Sequence, residues 1–235
     1  MGTGIQQPTS QSAGNPFTDV FKVLYEPGAV FERVRVQPRF LAPFATIIVV
    51  QCLLFFINLS YLKIAIQAQM ATAAPGRPVP STGVLIAFGV VFTVIIIGLL
   101  LLISALILYV GSSVIGGGEA KFSTLLSVAV YSAVPSTIVL TLVGIIVLHL
   151  QGPGQLTSPQ DMQPALGLDL LASGAKGFVG GLLAGINPFT LWTLVLTAIG
   201  VSTTQRMAKG SAYAIATASF VVVWLIASGL RALNG

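Results

Sequence analysis

Apolar residues form runs long enough to cross a membrane, and the polar segments between them are short. A helix needs about 20 apolar residues to cross roughly 30 Å of hydrocarbon. We therefore predict an all-α integral membrane protein whose residues 41–230 form a bundle of five transmembrane helices. The predicted spans are at about residues 41–62, 83–109, 123–150, 188–202 and 211–230.

The chain ahead of the first apolar run has two parts. Residues 1–16 are polar and rich in Gln, Ser, Gly and Pro, a composition typical of a disordered tail. Over residues 17–40 apolar positions recur at helical spacing, and Pro27 with Gly28 divides the pattern in two. We predict two amphipathic helices, which lie either in the headgroup layer or against the ends of the spanning helices.

Amide side chains inside the apolar runs predict contacts between helices. Gln51 and Asn58 are seven residues apart and therefore lie on one helix face. Because amides in hydrocarbon need hydrogen-bonding partners, that face is expected to meet other helices, or to line a polar pathway. Asn187 and Pro188 have the residue types favoured at an N-cap and at the first helical position, and predict the start of the fourth span.

A proline lies near the middle of the third predicted span. Pro135 has no N–H to donate to the carbonyl of Tyr131, so the helix is expected to bend there. Ser132 and Ser136 are close enough in sequence to satisfy the freed backbone groups. Such a helix suits a hinge or a packing joint, and we favour the joint.

Composition supports the membrane assignment. Only 7% of residues are charged, against about 25% in a typical soluble domain. The formal net charge is +5, but the one basic cluster, Arg33, Arg35 and Arg39, lies just before the first span. There a topology signal or a contact with anionic lipid is a better explanation than nucleic-acid binding.

Basic residues also indicate an orientation. Five spans place the termini on opposite sides, and an inside N-terminus puts seven basic residues inside and four outside. We therefore predict a cytoplasmic N-terminus and an external C-terminus. The inside set is Lys22, Arg33, Arg35, Arg39, Lys121, Arg206 and Lys209; the outside set is Lys63, Arg77, Lys176 and Arg231.

The sequence offers no catalytic constellation. General acid–base catalysis needs a titratable group in a pocket, and the predicted spans hold no charged residue. Glu119 and Lys121, the charged pair at a turn, are interpreted as a helix-start pair. His149 and Cys52 are each the only residue of their type, so we predict no catalytic, cofactor or metal site.

Three segments together resemble the Yip (Ypt-interacting protein) family, and the resemblance covers about residues 17–230. The first is Leu24-Tyr25-Glu26-Pro27. The second is a glycine-rich turn that leads through Phe122 to Tyr131-Ser132-Ala133-Val134-Pro135. The third is Asn187-Pro188-Phe189 followed by Trp192.

This resemblance implies a five-helix bundle with a cytoplasmic N-terminus. Eukaryotic members bind prenylated Rab GTPases, and their N-terminal motif reads Asp-Leu-Tyr-Gly-Pro. This chain has Val23-Leu24-Tyr25-Glu26-Pro27, in which Leu24, Tyr25 and Pro27 match. It looks more like the prokaryotic branch, which implies the plasma (inner) membrane of a prokaryote.

Two hypotheses for function follow. The first is a non-enzymatic scaffold or adaptor that binds protein partners or organises lipid, with no role in nucleic-acid binding. Its candidate contact residues are Tyr25, Pro27, Arg33, Arg35 and Arg39. The second is a transporter or channel for a small molecule, an ion or a lipid. Its candidate pathway or packing residues are Gln51, Asn58, Tyr131, Ser132, Pro135, Ser136, Asn187 and Pro188.

Overall fold

The computed structural model describes residues 15–73, 75–76, 78–116, 120–172 and 174–233. Over these residues the chain is helical and contains no β-strand. The predicted disordered tail lies outside the described residues, except for Asn15 and Pro16. Asn15 accepts a hydrogen bond from the backbone N–H of Phe17 and so caps the first helix.

Ten α-helices cover most of the described chain. They are α1 (Pro16–Lys22), α2 (Pro27–Val36), α3 (Leu41–Ile57), α4 (Leu59–Ala73), α5 (Thr82–Gly116), α6 (Phe122–Ser132), α7 (Leu140–Gln151), α8 (Gly177–Gly185), α9 (Pro188–Gln205) and α10 (Lys209–Leu233). A π-helical turn, Pro135–Val139, joins α6 to α7. Three 3₁₀ turns, Pro153–Gln155, Pro159–Met162 and Leu168–Leu171, lie between α7 and α8.

The predicted class, an all-α membrane protein, is confirmed. Among the described residues, three helices are long and apolar enough to cross a bilayer, and the number rises to five if each of two bent pairs forms one span. The bent pairs are α3 with α4 and α8 with α9, each with an angle of 60°. The longest helix, α5, leaves apolar side chains such as Phe88 and Ile95 largely exposed, as a lipid-facing helix does.

The first span differs from its prediction. We predicted one helix over residues 41–62 and a loop over 63–82. Instead α3 ends at Ile57, the chain bends at Asn58, and helix α4 continues to Ala73. Residues 59–73 contain no glycine or proline, so nothing in the backbone stops the helix before Pro75.

Other boundaries also moved. Helix α5 continues past the predicted end at residue 109 to Gly116, and within this extension Gly111 lies against Ile215 of α10. Around Pro135 the chain widens into the π turn, and Phe122–Gln151 remains one apolar stretch of 30 residues. Between the third and fourth predicted spans the chain forms a 3₁₀ turn, Leu168–Leu171, followed by α8.

The main core lies where α2, α6 and α9 meet. Phe31 of α2 and Val128 of α6 are fully buried there. Gly200 of α9 makes this close approach possible. A β-carbon at position 200 would lie 2.6 Å from Val128 Cγ1 and 3.0 Å from the ring of Phe31. The two N-terminal helices are therefore part of the packed bundle.

Helix α8 packs on α10 through a glycine. A β-carbon on Gly181 would lie 2.8 Å from the Cα of Ser228, and backbone cannot move aside as a flexible side chain can. We expect Gly181→Ala to lower the free energy of unfolding in detergent by about 1–3 kcal/mol through overpacking. A melting curve measures the change.

The control is Gly229→Ala on α10, where an added β-carbon meets no atom within 4 Å. It should be neutral, or stabilising by roughly 0.4–1 kcal/mol, because alanine restricts the unfolded chain. Equal melting temperatures for the two variants would show that the α8–α10 contact is loose.

Candidate functional site

Helices α1 and α2, residues 16–36, form an N-terminal platform on the bundle. An ion pair fixes them to each other: Arg33 Nε donates to Asp19 Oδ2 at 3.0 Å, and Nη2 donates to Oδ1 at 2.6 Å. Asp19 is only 4% exposed. Its hydrogen bond and charge raise the pKa of Arg33, against the opposing effect of burial.

The platform has one buried face and one exposed face. Val20 and Val23 are fully buried against the bundle. Phe17, Phe21 and Tyr25, spaced four residues apart, are 55%, 52% and 66% exposed. We call these three residues the aromatic stripe. Interactions on the other face already hold the platform against the bundle. The aromatic stripe is therefore not needed to keep the platform in place.

Of the two placements predicted for this segment, packing against the spanning helices agrees with the structure. Arg33, predicted as a lipid or partner contact, is instead committed to Asp19. Arg35 pairs with Glu32 at 2.8 Å, and Arg39 donates to Gln37 Oε1 at 2.6 Å. Both of those contacts are at the surface, so either arginine can exchange its partner at small cost.

Pro27 has a structural role in the platform. It is in the first turn of α2, where its missing N–H costs little. Tyr25, just before it, has an exposed side chain. Of the two residues, Tyr25 is therefore the one that can contact a partner.

At the opposite end of the bundle, residues far apart in sequence line one cavity. It has a volume of about 510 Å³, and we call it the polar chamber. Four predicted pathway residues line it: Gln51, Asn58, Ser136 and Asn187. The amide of Gln51 donates to the carbonyl oxygen of Thr137 in the π turn at 2.5 Å.

Several predicted pathway residues have other roles. Asn187 is 4% exposed and caps α9: its Oδ1 accepts from the backbone N–H groups of Phe189 and Thr190, both at 3.0 Å. Pro188 opens that helix. Asn187 thus lines the chamber while its own hydrogen bonds stabilise the bend between α8 and α9.

The remaining three pathway candidates, Tyr131, Ser132 and Pro135, are buried outside the polar chamber. Tyr131 is 2% exposed, and its hydroxyl donates weakly to the carbonyl of Pro16 at 3.4 Å. It therefore contacts the platform. The hydroxyl oxygen of Ser132 is buried and has no hydrogen-bond partner among the described residues.

Two charged residues in the polar chamber were missed by the sequence reasoning. Asp169 and Arg231 both line it. In the sequence, Asp169 lies before the fourth predicted span and Arg231 lies just beyond the last one. Only contacts between distant segments of the chain bring the two residues to the same cavity, so no local sequence pattern indicates that they share it.

The connection between α7 and α8 forms one wall of the chamber and is held by a carboxylate. Asp161 Oδ2 accepts four hydrogen bonds from the backbone N–H groups and hydroxyls of Thr157 and Ser158. Burial raises the pKa of Asp161, but these bonds outweigh it and the net shift is downward. Their stabilisation is present above the ordinary aspartate pKa of 3.8 and is lost only as pH falls through the lowered value.

No group of three or more His, Cys, Asp or Glu side chains suited to a metal occurs among the described residues. His149 packs against Tyr61 at a ring-centroid distance of 4.4 Å with the rings tilted by 36°, and its Nδ1 contacts the carbonyl of Ile145. Glu119, considered as a charged pair with Lys121, lies outside the described residues. Cys52 is a half-buried free thiol.

The pattern that defines the Yip1 domain matches residues 21–230, nearly the whole chain. The chain belongs to the Yip1 domain family. The resemblance drawn from the three sequence segments is thereby confirmed. This Yip1 domain protein is 24% identical to "Membrane protein YknW" of Bacillus subtilis (strain 168) over 237 residues. The match covers 98% of this chain and 97% of the relative, and supports a prokaryotic member of the family. No solved structure matches.

Proposed function

We propose that this Yip1 domain protein is a non-enzymatic membrane adaptor that binds a protein partner through its N-terminal platform. The aromatic stripe carries the proposal. Phe17 and Phe21 are exposed on α1 and Tyr25 is exposed in the turn that follows it, while Val20 and Val23 on the other side are fully buried. Residues of this type dominate the binding energy of many protein interfaces.

The rigidity of the platform supports a binding role. Asp19 and Arg33 join its two helices, and Phe31 anchors it in the core. A preorganised surface loses little conformational freedom when a partner binds, which leaves more of the contact energy as affinity. A flexible tail carrying the same three residues would bind less tightly.

A protein partner fits this surface better than a lipid anchor does. The spanning helices already hold the chain in the bilayer, and no interfacial anchor approaches their strength. Three additional aromatic anchors would add nothing to membrane residence. The outward-facing arginines, Arg35 and Arg39, suit a partner surface that is acidic around an apolar centre.

We also propose that the platform faces the cytoplasm of a prokaryotic cell and that the C-terminus of α10 faces outward. The distribution of basic residues supports this orientation, because Lys22, Lys121 and Arg206 all lie at the platform end of the helices. In this orientation the aromatic stripe is accessible to cytoplasmic proteins and to the cytoplasmic parts of other membrane proteins.

A photo-crosslinking amino acid at position 25 tests the adaptor proposal in living cells. We expect one protein adduct of defined mass, because a specific interface presents one partner to the stripe. In the Phe17→Ser/Phe21→Ser double variant the yield of this adduct should fall at least tenfold. The melting temperature of the purified protein should stay within about 3 °C of the parent, because both residues are exposed.

The matched control places the same crosslinker at position 88 of α5. Phe88 is 74% exposed on a helix that faces lipid, so it should give lipid adducts. If position 25 also gives only lipid adducts, the platform is a membrane anchor and the adaptor proposal is wrong. A protein adduct that persists in the double variant would also contradict it.

The alternative, a transporter or lipid-handling protein, is favoured by a different observation. The polar chamber lies beside two further cavities, of about 650 and 290 Å³, between the helices. This space has the dimensions of ordinary ligand pockets.

A further inference from the structure

The polar chamber adjoins a larger cavity, the side chamber, of about 650 Å³. The two share residues from four segments of the chain and so form neighbouring compartments. The shared residues are Leu140, Pro159, Gln163, Ala184, Asn187 and Arg231. Arg231, the basic residue among them, therefore lies on the boundary between the compartments.

Three polar groups in the polar chamber have unused hydrogen-bonding capacity within the described part of the chain. Arg231 makes no ion pair or hydrogen bond there. Asp169 accepts one bond, at Oδ1 from the backbone N–H of Gly167 at 2.8 Å. Asn58 Oδ1 is buried and has no partner. Asn58 Oδ1 is removed from water, where a polar atom without a partner is costly, whereas Asp169 and Arg231 are half-buried and remain free to bind a ligand that enters the chamber.

The charges point to the kind of ligand. Asp169 and Arg231 have opposite charges and line the same chamber, yet they form no ion pair with each other. A ligand with one negative and one positive group satisfies both. Guanidinium is well matched to phosphate, and a carboxylate with a nearby amide oxygen accepts hydrogen bonds from an ammonium group.

The side chamber is suited to an apolar chain. Phe92, Ile96 and Leu100 line it from α5, and Trp224 and Ala227 line it from α10. Phe92 is 55% exposed on the surface of α5 that faces lipid. The side chamber therefore opens sideways toward the bilayer, where an acyl chain can enter without leaving hydrocarbon.

We propose that the two chambers bind a zwitterionic phospholipid that bears a primary ammonium group. Its phosphate contacts Arg231, its ammonium contacts Asp169 and Asn58 Oδ1, and an acyl chain occupies the side chamber. This proposal does not depend on the adaptor function, because the chambers lie at the end of the bundle opposite the platform.

Native mass spectrometry of the delipidated protein tests the site, with three probes titrated separately. Phosphatidylethanolamine has phosphate, ammonium and acyl chains; phosphatidylglycerol lacks the ammonium; phosphoethanolamine lacks the chains. We expect the first to bind at least tenfold more tightly than either of the others, because each lacks one set of contacts.

Variants assign the contacts. Arg231→Gln should weaken binding of both phospholipids about tenfold, since it removes the phosphate partner. Asp169→Asn should weaken binding of phosphatidylethanolamine alone and so abolish the preference over phosphatidylglycerol. Lys176→Gln is the control, because Lys176 is exposed and lines neither chamber. It should bind like the parent protein.

Each contrary result overturns the proposal. Equal binding of the two phospholipids by the parent protein would show that no ammonium site exists. Equal binding of phosphoethanolamine would show that the side chamber holds no acyl chain, and would assign the site to a small polar solute. A loss in Lys176→Gln as large as in Arg231→Gln would show general attraction of lipid to positive charge.

Discussion

Replacing Phe31 by alanine is expected to lower the free energy of unfolding by about 3–5 kcal/mol, the range for removing a buried aromatic ring. Phe31 is fully buried between α2, α6 and α9. Its ring lies against the backbone at Gly200, which has no side chain that could fill the space. The cavity should therefore remain largely unfilled.

Unfolding of the purified protein in mixed micelles, followed by circular dichroism as the denaturing detergent increases, measures this loss. Phe88→Ala is the control, because that ring is 74% exposed on the lipid-facing side of α5. It should change stability by no more than about 0.5 kcal/mol, as is usual for surface positions. If Phe31→Ala lowers the free energy of unfolding no more than Phe88→Ala does, the packing of the platform contributes little to the stability of the bundle.

Replacing Asp19 by asparagine is expected to destabilise the protein by about 3 kcal/mol. Removing one member of a buried ion pair leaves the other charge without compensation, which costs roughly 3–5 kcal/mol. We take the lower end because the side chain of Arg33 is 29% exposed and water can partly solvate it. Thermal unfolding followed by intrinsic fluorescence measures the change.

Glu32→Gln is the matched control, since it also converts an acid to its amide beside an arginine. Glu32 is 53% exposed and pairs with Arg35 at the surface, so the loss should stay below about 1 kcal/mol. Adding Arg33→Met to Asp19→Asn should recover part of the stability, because no charge is then left unpaired. A double variant less stable than Asp19→Asn alone would contradict this account.

The pH dependence of this contact has a defined sign. Since Asp19 raises the pKa of Arg33 above its ordinary value, the stabilisation from charged Arg33 is fully present below that ordinary value. It is lost only as pH rises through the raised pKa. Mildly alkaline buffers should therefore leave Arg33's contribution intact.

The membrane class and the helical runs could be predicted from the sequence because hydrocarbon imposes a strict rule on composition. A stretch such as Thr82–Gly116 is readable because nearly every residue along it is apolar. The placement of Gln51 and Asn58 on one face was informative for the same reason, since few polar residues occur in the spans. Both line the polar chamber.

The bends and the long-range pairs could not be predicted in this way. The 60° change of direction at Asn58 is marked by neither glycine nor proline, so no local sequence signal indicates a bend there. Asp19 and Arg33 are 14 residues apart on different helices, and a count of basic residues treats Arg33 simply as a positive charge. Only the angle between α1 and α2 determines that the two side chains meet.

The π turn at Pro135–Val139 lets the two halves of one apolar stretch contact different surroundings. Leu140 donates to the carbonyl of Pro135, five residues back, so the turn holds one residue more than an α-helix would. That extra residue rotates everything after it by about 100°. Before the turn, Thr124 through Ser132 are all enclosed by protein; after it, Thr141 and Gly144 border an open cavity. One inserted residue thus turns the two halves of the stretch toward different surroundings, a protein core before the π turn and a cavity after it.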